Sequence, residues 1–219
     1  MLNLRHNYHE LNSSERLQYW LVGRHRLSAE DRFFFEGHRP LPGQMYLAER
    51  RALYTAVLTR RPQYCFEIGT ASGGGSTFFI ATAFRAIGSG QLVSLEALES
   101  SYLAARHRYD RDLSYLKPYV RLLQGTTPAA FLPYIREMGS QVECLFLDGS
   151  DSPEESLSQY EFFLPYARTG TILMAHDWDD VKMSKLRPVV EGDRRWTLRT
   201  RLTQPDSVGF VVYSFGPQS

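Results

Sequence analysis

The stretch CFEIGTASGGGSTFF, residues 65–79, passes from one apolar run to another through four glycines, Gly69, Gly73, Gly74 and Gly75. The first run reads as a buried strand, and the second, residues 77–86, is apolar nearly all round, as a buried helix is. Gly69 ends the strand and permits a sharp turn, Gly73 allows close backbone approach, and the amides of the next helix point at a ligand. This is the arrangement that binds an adenosyl cofactor. A glycine-rich turn that only serves packing is the other reading of the same residues. The spacing is Gly-x-x-x-Gly-Gly-Gly, with Ala71 where dinucleotide-binding enzymes carry their second glycine, which argues against a nicotinamide dehydrogenase. Glu67 lies inside the strand end, and burying a carboxylate is costly unless it is hydrogen-bonded. A cationic or amine-bearing ligand would justify it.

Working outward, further apolar runs start near Leu92, Val120, Glu143 and Thr171, at separations of roughly 23 to 28 residues, the scale of a βα unit. Thr127-Pro128 and Ser152-Pro153 each set a capping hydroxyl before a proline, and Ser152 with Glu155 fits a capping box. Helices that start directly after strands predict an α/β fold with a parallel sheet. Residues 196–202 and 208–215 are rich in β-branched and aromatic side chains around a Thr-Gln-Pro-Asp-Ser turn, and predict an antiparallel hairpin at one sheet edge.

The N-terminal residues 1–43 differ in character and are expected to form a helical or irregular cap, apart from a main domain over 44–219. They include a short helix at 13–22 and the run Phe33-Phe34-Phe35, before Pro40, Pro42 and Gly43 punctuate the chain. The cap either covers the C-terminal edge of the sheet or packs against a second subunit, so a homodimer is one expectation. Residues 44–60 predict a stronger helix, with Met45, Ala48, Ala52, Ala56 and Val57 at helical spacing.

The chain has 219 residues, 43% hydrophobic, with a formal net charge of +1. Nothing in that balance calls for nucleic acid or an anionic membrane. No run approaches the roughly 20 apolar residues of a membrane span, and the polar N-terminus lacks a signal-peptide centre, so a cytoplasmic location is expected. Cys65 and Cys144 both fall in strand-like runs and read as buried free thiols.

The run Leu92-Val93-Ser94-Leu95-Glu96 ends in a carboxylate that can accept both hydroxyls of a ribose. FEIGTASGGGST (66–77), LVSLEA (92–97), LFLDGSDSPEESLSQYEFFLPYARTGTILMAHDW (145–178) and the terminal hairpin together resemble a class I S-adenosylmethionine-dependent methyltransferase. Within that class the chain is most similar to small-molecule O-methyltransferases of the catechol type, in a bacterial branch with Asp-Gly-Ser-His and His-Asp-Trp motifs. The resemblance covers roughly residues 44–215. It implies a doubly wound, mostly parallel seven-stranded sheet in the order 3-2-1-4-5-7-6, the last strand antiparallel, with helices on both faces. It also implies a cofactor pocket: Glu67, Gly69 and Gly73 at the methionine end, Glu96 at the ribose, Gly125 and Thr126 near the adenine, and Ser150 and Asp151 at the rim, with Thr70, Ala71, Ser76, Ala97 and Asp148 as further cofactor contacts.

Asp148 ends the fourth strand, and His176 and Asp177 end the fifth. In a parallel sheet these ends are neighbours, so the three can hold Mg²⁺, Mn²⁺ or Fe²⁺. In the resembling family such a metal chelates a substrate oxygen and lowers its pKa. The chain departs from that family at Asp151, where the branch has histidine and catechol methyltransferases a lysine base; at one extra residue between Gly73 and Ser76; and at His176, commonly acidic in metal-binding relatives. Asp148, Asp151 and Asp177 are the catalytic candidates. Lys182 and Lys185 read either as a base delivered by a loop or as a solvated helix start. Trp178 and the Phe33 run read as a substrate wall or as core. The expected function is metal-assisted O-methylation of a small hydroxylated compound. The alternatives are a non-catalytic S-adenosylmethionine-binding module and a metal-dependent, oxygenase-like protein on the same fold.

Overall fold

The computed structural model describes residues 45–204 and 207–216. The expected cap over 1–43 and the proline of the hairpin turn lie outside the described residues. The chain forms one seven-stranded sheet in the order β3-β2-β1-β4-β5-β7-β6. Its strands are β1 Tyr64–Ile68, β2 Gln91–Glu96, β3 Val120–Gln124, β4 Val142–Leu147, β5 Ala167–Ala175, β6 Trp196–Leu202 and β7 Phe210–Phe215. β1 to β5 pair in parallel, whereas β7 runs antiparallel to both β5 and β6. The sheet order and the reversed last strand agree with the sequence expectation.

The helices are α1 Leu47–Arg60, α2 Ser76–Ile87, α3 Glu99–Asp110, α4 Leu132–Glu137, α5 Pro153–Phe163 and α6 Leu186–Gly192. Alternation along each strand divides the core into two layers. Cys65, Leu92, Cys144, Phe146, Met174 and Val212 pack under α1 and α2. Phe66, Val93, Leu145, Leu147, Leu173 and Val211 pack on the other face with α4, α5 and α6. Cys65 and Cys144 are buried free thiols on adjacent strands. The buried side of α1 is centred on Leu53 and Val57 and includes Glu49 and Arg50, so Ala48, Ala52 and Ala56 stand at its margin. Met45 and Val57 of the expected apolar set are buried, and Ala52 and Ala56 pack against the same core.

Ser152 caps α5 as expected, accepting from the Glu155 N–H at 3.2 Å. The Glu155 carboxylate returns to the N–H of Asp151 at 3.1 Å, one residue outside the usual box. Thr127 caps a single 3₁₀ turn, Pro128–Phe131, which runs on into α4.

The glycine turn is shaped by two backbone contacts. Gly69 has φ +99°, and a Cβ there would stand 2.8 Å from the backbone of Gly149. A Cβ on Gly149 would stand 2.7 Å from the Gly69 nitrogen. The loops leaving β1 and β4 therefore meet backbone to backbone. Gly73 also has a positive φ, and a Cβ there would stand 2.9 Å from the Tyr109 ring. The Tyr109 hydroxyl donates to the Gly73 carbonyl at 3.0 Å.

Glu67 is fully buried beneath the start of α2. Its carboxylate accepts from Ser76 Oγ at 2.5 Å, Thr77 Oγ1 at 2.8 Å and Ser94 Oγ at 2.5 Å. Thr70 extends this group through a hydroxyl contact to Ser94. The cost of burying the acid is thus offset inside the protein, with no ligand required. Burial raises the Glu67 carboxyl to about 7, against the opposing pull of its three hydroxyl donors.

Two measurements test this construction. Gly149→Ala is expected to lower stability in urea by about 2 kcal/mol or more through backbone overpacking. Gly88→Ala, at a positive φ with open space around it, is expected to cost only about 1 kcal/mol. For Glu67, the unfolded carboxyl releases its proton near 4.5 while the folded one keeps it to about 7. The native state then binds more protons across that window, so stability should fall as pH rises through it and level off above it. Glu67→Gln is expected to flatten that slope in urea melts run at successive pH values.

Candidate active site

A cleft of about 330 Å³ opens at the C-terminal ends of the parallel strands. Its volume suits a small molecule. Gly69 and Ala71 contribute from the loop after β1, Glu96 and Ala97 from the end of β2, and Gly125 and Thr126 from the loop after β3. Asp148, Ser150 and Asp151 follow β4 and close the opposite wall, joined by Lys182. Glu67, Thr70, Gly73 and Ser76, also expected at the cofactor, do not line the cleft. Glu67, Thr70 and Ser76 build the buried hydroxyl and carboxylate group behind the turn, and the Gly73 carbonyl accepts from Tyr109.

Glu96 is 7% exposed. One carboxylate oxygen accepts from the Ala71 N–H at 2.7 Å and the other from the Leu98 N–H at 2.9 Å. Ala71 reaches this position with φ +47°, a left-handed conformation uncommon outside glycine. The alanine that set this turn apart from dinucleotide-binding loops therefore adopts a glycine-like backbone, and the loop is fastened to the second strand.

Asp148, His176 and Asp177 converge, with one candidate donor atom from each lying within 4.8 Å of the others. His176 Nδ1 is 3.1 Å from Asp177 Oδ1 and 3.6 Å from Asp148 Oδ2. Asp177 turns into the cluster with φ +54°. Two further residues complete the group. His176 Nε2 meets Glu49 Oε2 at 3.0 Å, and Lys182 Nζ lies 3.1 Å from Asp148 Oδ1 and 2.7 Å from Asp177 Oδ2. Glu49 also accepts from Tyr46 N–H, Ser207 Oγ and Val208 N–H.

Burial disfavours the imidazolium, but contacts with Asp148, Asp177 and Glu49 outweigh it and hold the His176 pKa well above its ordinary value. Burial raises Asp177, yet His176 and Lys182 together hold it well below the carboxylate range. Lys182 likewise stays charged, because Asp148 and Asp177 overcome its burial. Three carboxylates thus face two nitrogen cations. Both oxygens of Asp148 and of Asp177 face these nitrogens, so a divalent ion entering among Asp148, His176 and Asp177 would have to displace Lys182 from the two carboxylates.

Sequence reading left Lys182 either as a base delivered by a loop or as a solvated helix start, and did not single out Glu49. The Asp179 and Asp180 neighbours make Lys182 look like a surface position, and an acid in the first turn of a helix is ordinary. Lys185 is the solvated one of the pair, with Glu154 as its partner. Trp178 is fully buried against Tyr213, with ring centroids 5.7 Å apart, so it belongs to the core and does not wall the cleft.

Solved structures share this fold. An O-methyltransferase from Bacillus cereus, in complex with SAH, matches with a TM-score of 0.66 and 18% identity over 94% of this chain and 98% of its own. TomG from Streptomyces achromogenes, an O-methyltransferase involved in tomaymycin synthesis and solved with SAM, matches at 0.65 and 18% over 93% and 96%. The SAH-bound methyltransferase PaMTH1 from Podospora anserina matches at 0.59 and 14% over 91% and 87%. At these identities the likeness is one of fold. No curated protein has significant sequence similarity to the chain. A methyltransferase-domain profile matches residues 66–178, from the middle of β1 to Trp178 after β5. That stretch is just over half of the chain and carries the glycine turn, Glu96, Asp148 and His-Asp-Trp, so the chain belongs to the methyltransferase-domain family.

Proposed function

We propose that the chain is an S-adenosylmethionine-dependent O-methyltransferase acting on a small hydroxylated compound. The observation that carries this reading is Glu96. It is a buried carboxylate on the cleft wall, and each of its oxygens accepts only one backbone N–H. A carboxylate offers about four acceptor positions, so two remain for a pair of neighbouring hydroxyls such as a ribose presents. The SAH and SAM complexes of the Bacillus and Streptomyces proteins support the same cofactor.

S-adenosylmethionine supplies a methyl group on a positively charged sulfur, which an acceptor oxygen can take without redox chemistry. The residues of the chain bind and orient. Glu96 and Ala97 hold the ribose, Gly125 and Thr126 border the adenine, and Gly69, Ala71 and Ser150 bound the rest of the cleft. Asp151 stands on the wall with no ion-pair partner among the described residues, and is assigned as acceptor of the hydroxyl proton. Asp148 and Asp177 hold the nitrogen cations at the mouth. The division into a cap over 1–43 and a catalytic domain over 44–219 is part of the proposal. So are a homodimer, supported by the half-exposed Leu198 on edge strand β6, and a cytoplasmic setting, supported by the free thiols Cys65 and Cys144. Among the described residues, no helix is long and apolar enough to cross a membrane.

Calorimetric titration with S-adenosylmethionine tests the reading. Micromolar affinity is expected, weakened about tenfold or more by Glu96→Gln, because the amide puts a donor where N–H and hydroxyl donors must be accepted. Absence of binding to the unaltered protein would overturn the proposal.

A further inference from the structure

We infer that Lys182 is the resident cation of the Asp148 and Asp177 carboxylates, standing where a divalent metal would otherwise sit, so that this site works without metal. The two carboxylates are bracketed symmetrically. One oxygen of each faces the Lys182 ammonium, at 3.1 Å and 2.7 Å, and the other faces His176 Nδ1, at 3.6 Å and 3.1 Å. His176 is in turn fixed from behind by Glu49. The ammonium already occupies the space between the two carboxylates, and a divalent ion would have to expel it to enter.

Lys182 is built into this position. It lies in the 3₁₀ turn Val181–Met183, and its side chain is only 16% exposed. Its N–H donates to Asp180 Oδ1 at 3.0 Å, and its carbonyl accepts from Ser156 Oγ at 2.7 Å. Ser156 is also bonded to Ser150, so the wall of the cleft, the start of α5 and the lysine turn form one connected unit. A surface lysine pairing by chance would be held by its side chain alone.

The consequence concerns the acceptor, and here the inference rests on the methyltransferase reading. An ammonium has three N–H donors and the carboxylates take two. The third remains for a single substrate oxygen, on the same cleft wall as Asp148 and Asp151. A metal would hold two adjacent oxygens by chelation, whereas one N–H directs one. The acceptor class is therefore a compound presenting a lone hydroxyl, with no requirement for a vicinal pair.

The test is calorimetric titration of the metal-stripped full chain with Mn²⁺ alone, run on the unaltered protein, Lys182→Met and Lys182→Ala. The unaltered protein is expected to show no saturable Mn²⁺ binding below about millimolar concentration. Either variant, once freed of the ammonium, is expected to bind Mn²⁺ at least tenfold more tightly. Micromolar Mn²⁺ binding by the unaltered protein would overturn the inference, whether or not the variants fold. So would a folded variant, judged by its melting curve, that gains no affinity. S-adenosylmethionine is absent from these titrations, so failure of the cofactor reading leaves the metal result standing, and the reverse holds as well.

Discussion

The contact between Gly69 and Gly149 sets the geometry on which the site depends. Two loops that leave neighbouring parallel strands must diverge for a ligand to enter, yet here they touch at their first residues. With no Cβ on either side, the strand ends stay in register up to Ile68 and Leu147, and the Asp148 N–H still donates to the Ile68 carbonyl at 3.0 Å. The cleft consequently begins directly at the sheet. Glu96, Asp148 and the loop after β3 face one another across it, held by backbone rather than by mobile side chains.

Two acidic groups behave differently because of what surrounds them. Glu67 is met only by hydroxyls, which can turn to serve either the charged or the neutral form, and its proton affinity rises with burial. Asp177, only partly buried and flanked by His176 and Lys182, moves the other way. One carboxylate therefore works as neutral architecture over part of the ordinary pH range while the other remains an anion. Position within the sheet explains the split. Glu67 points under α2 into the helix-covered layer, whereas Asp177 lies beyond the last paired residue of β5, where the chain turns toward the cleft.

Much of this was legible in the sequence. The repeat of apolar runs, the proline-marked helix starts and the glycine turn located the strands and their ends, and strand ends in a parallel sheet are where chemistry gathers. The expectation that Asp148, His176 and Asp177 converge followed from that topology alone. The roles of Glu67, Gly73 and Ser76 were harder to read, since a glycine beside a cofactor and a glycine beside a tyrosine leave the same letter. Glu49 was illegible as a member of the site, and Lys182 was legible only as one of two candidate loop lysines. Each acquires its meaning from partners in other segments, and no local pattern encodes a pairing across the whole sheet.

Glu49 joins chain segments that meet only in the finished protein. Its carboxylate reaches His176, Ser207 and Val208, at sequence separations of 127, 158 and 159 residues. Closing loops of that length gains nothing until both ends are already held near each other. The last hairpin must therefore be in place before Glu49 has all of its partners. A chain without the last hairpin would keep Asp148, His176, Asp177 and Lys182 in its sequence but lose the Ser207 and Val208 contacts that hold Glu49. The fixing of Glu49, and through it of His176, is accordingly tied to completion of the C-terminal hairpin, which contributes Ser207 and Val208 from the connection between its two strands.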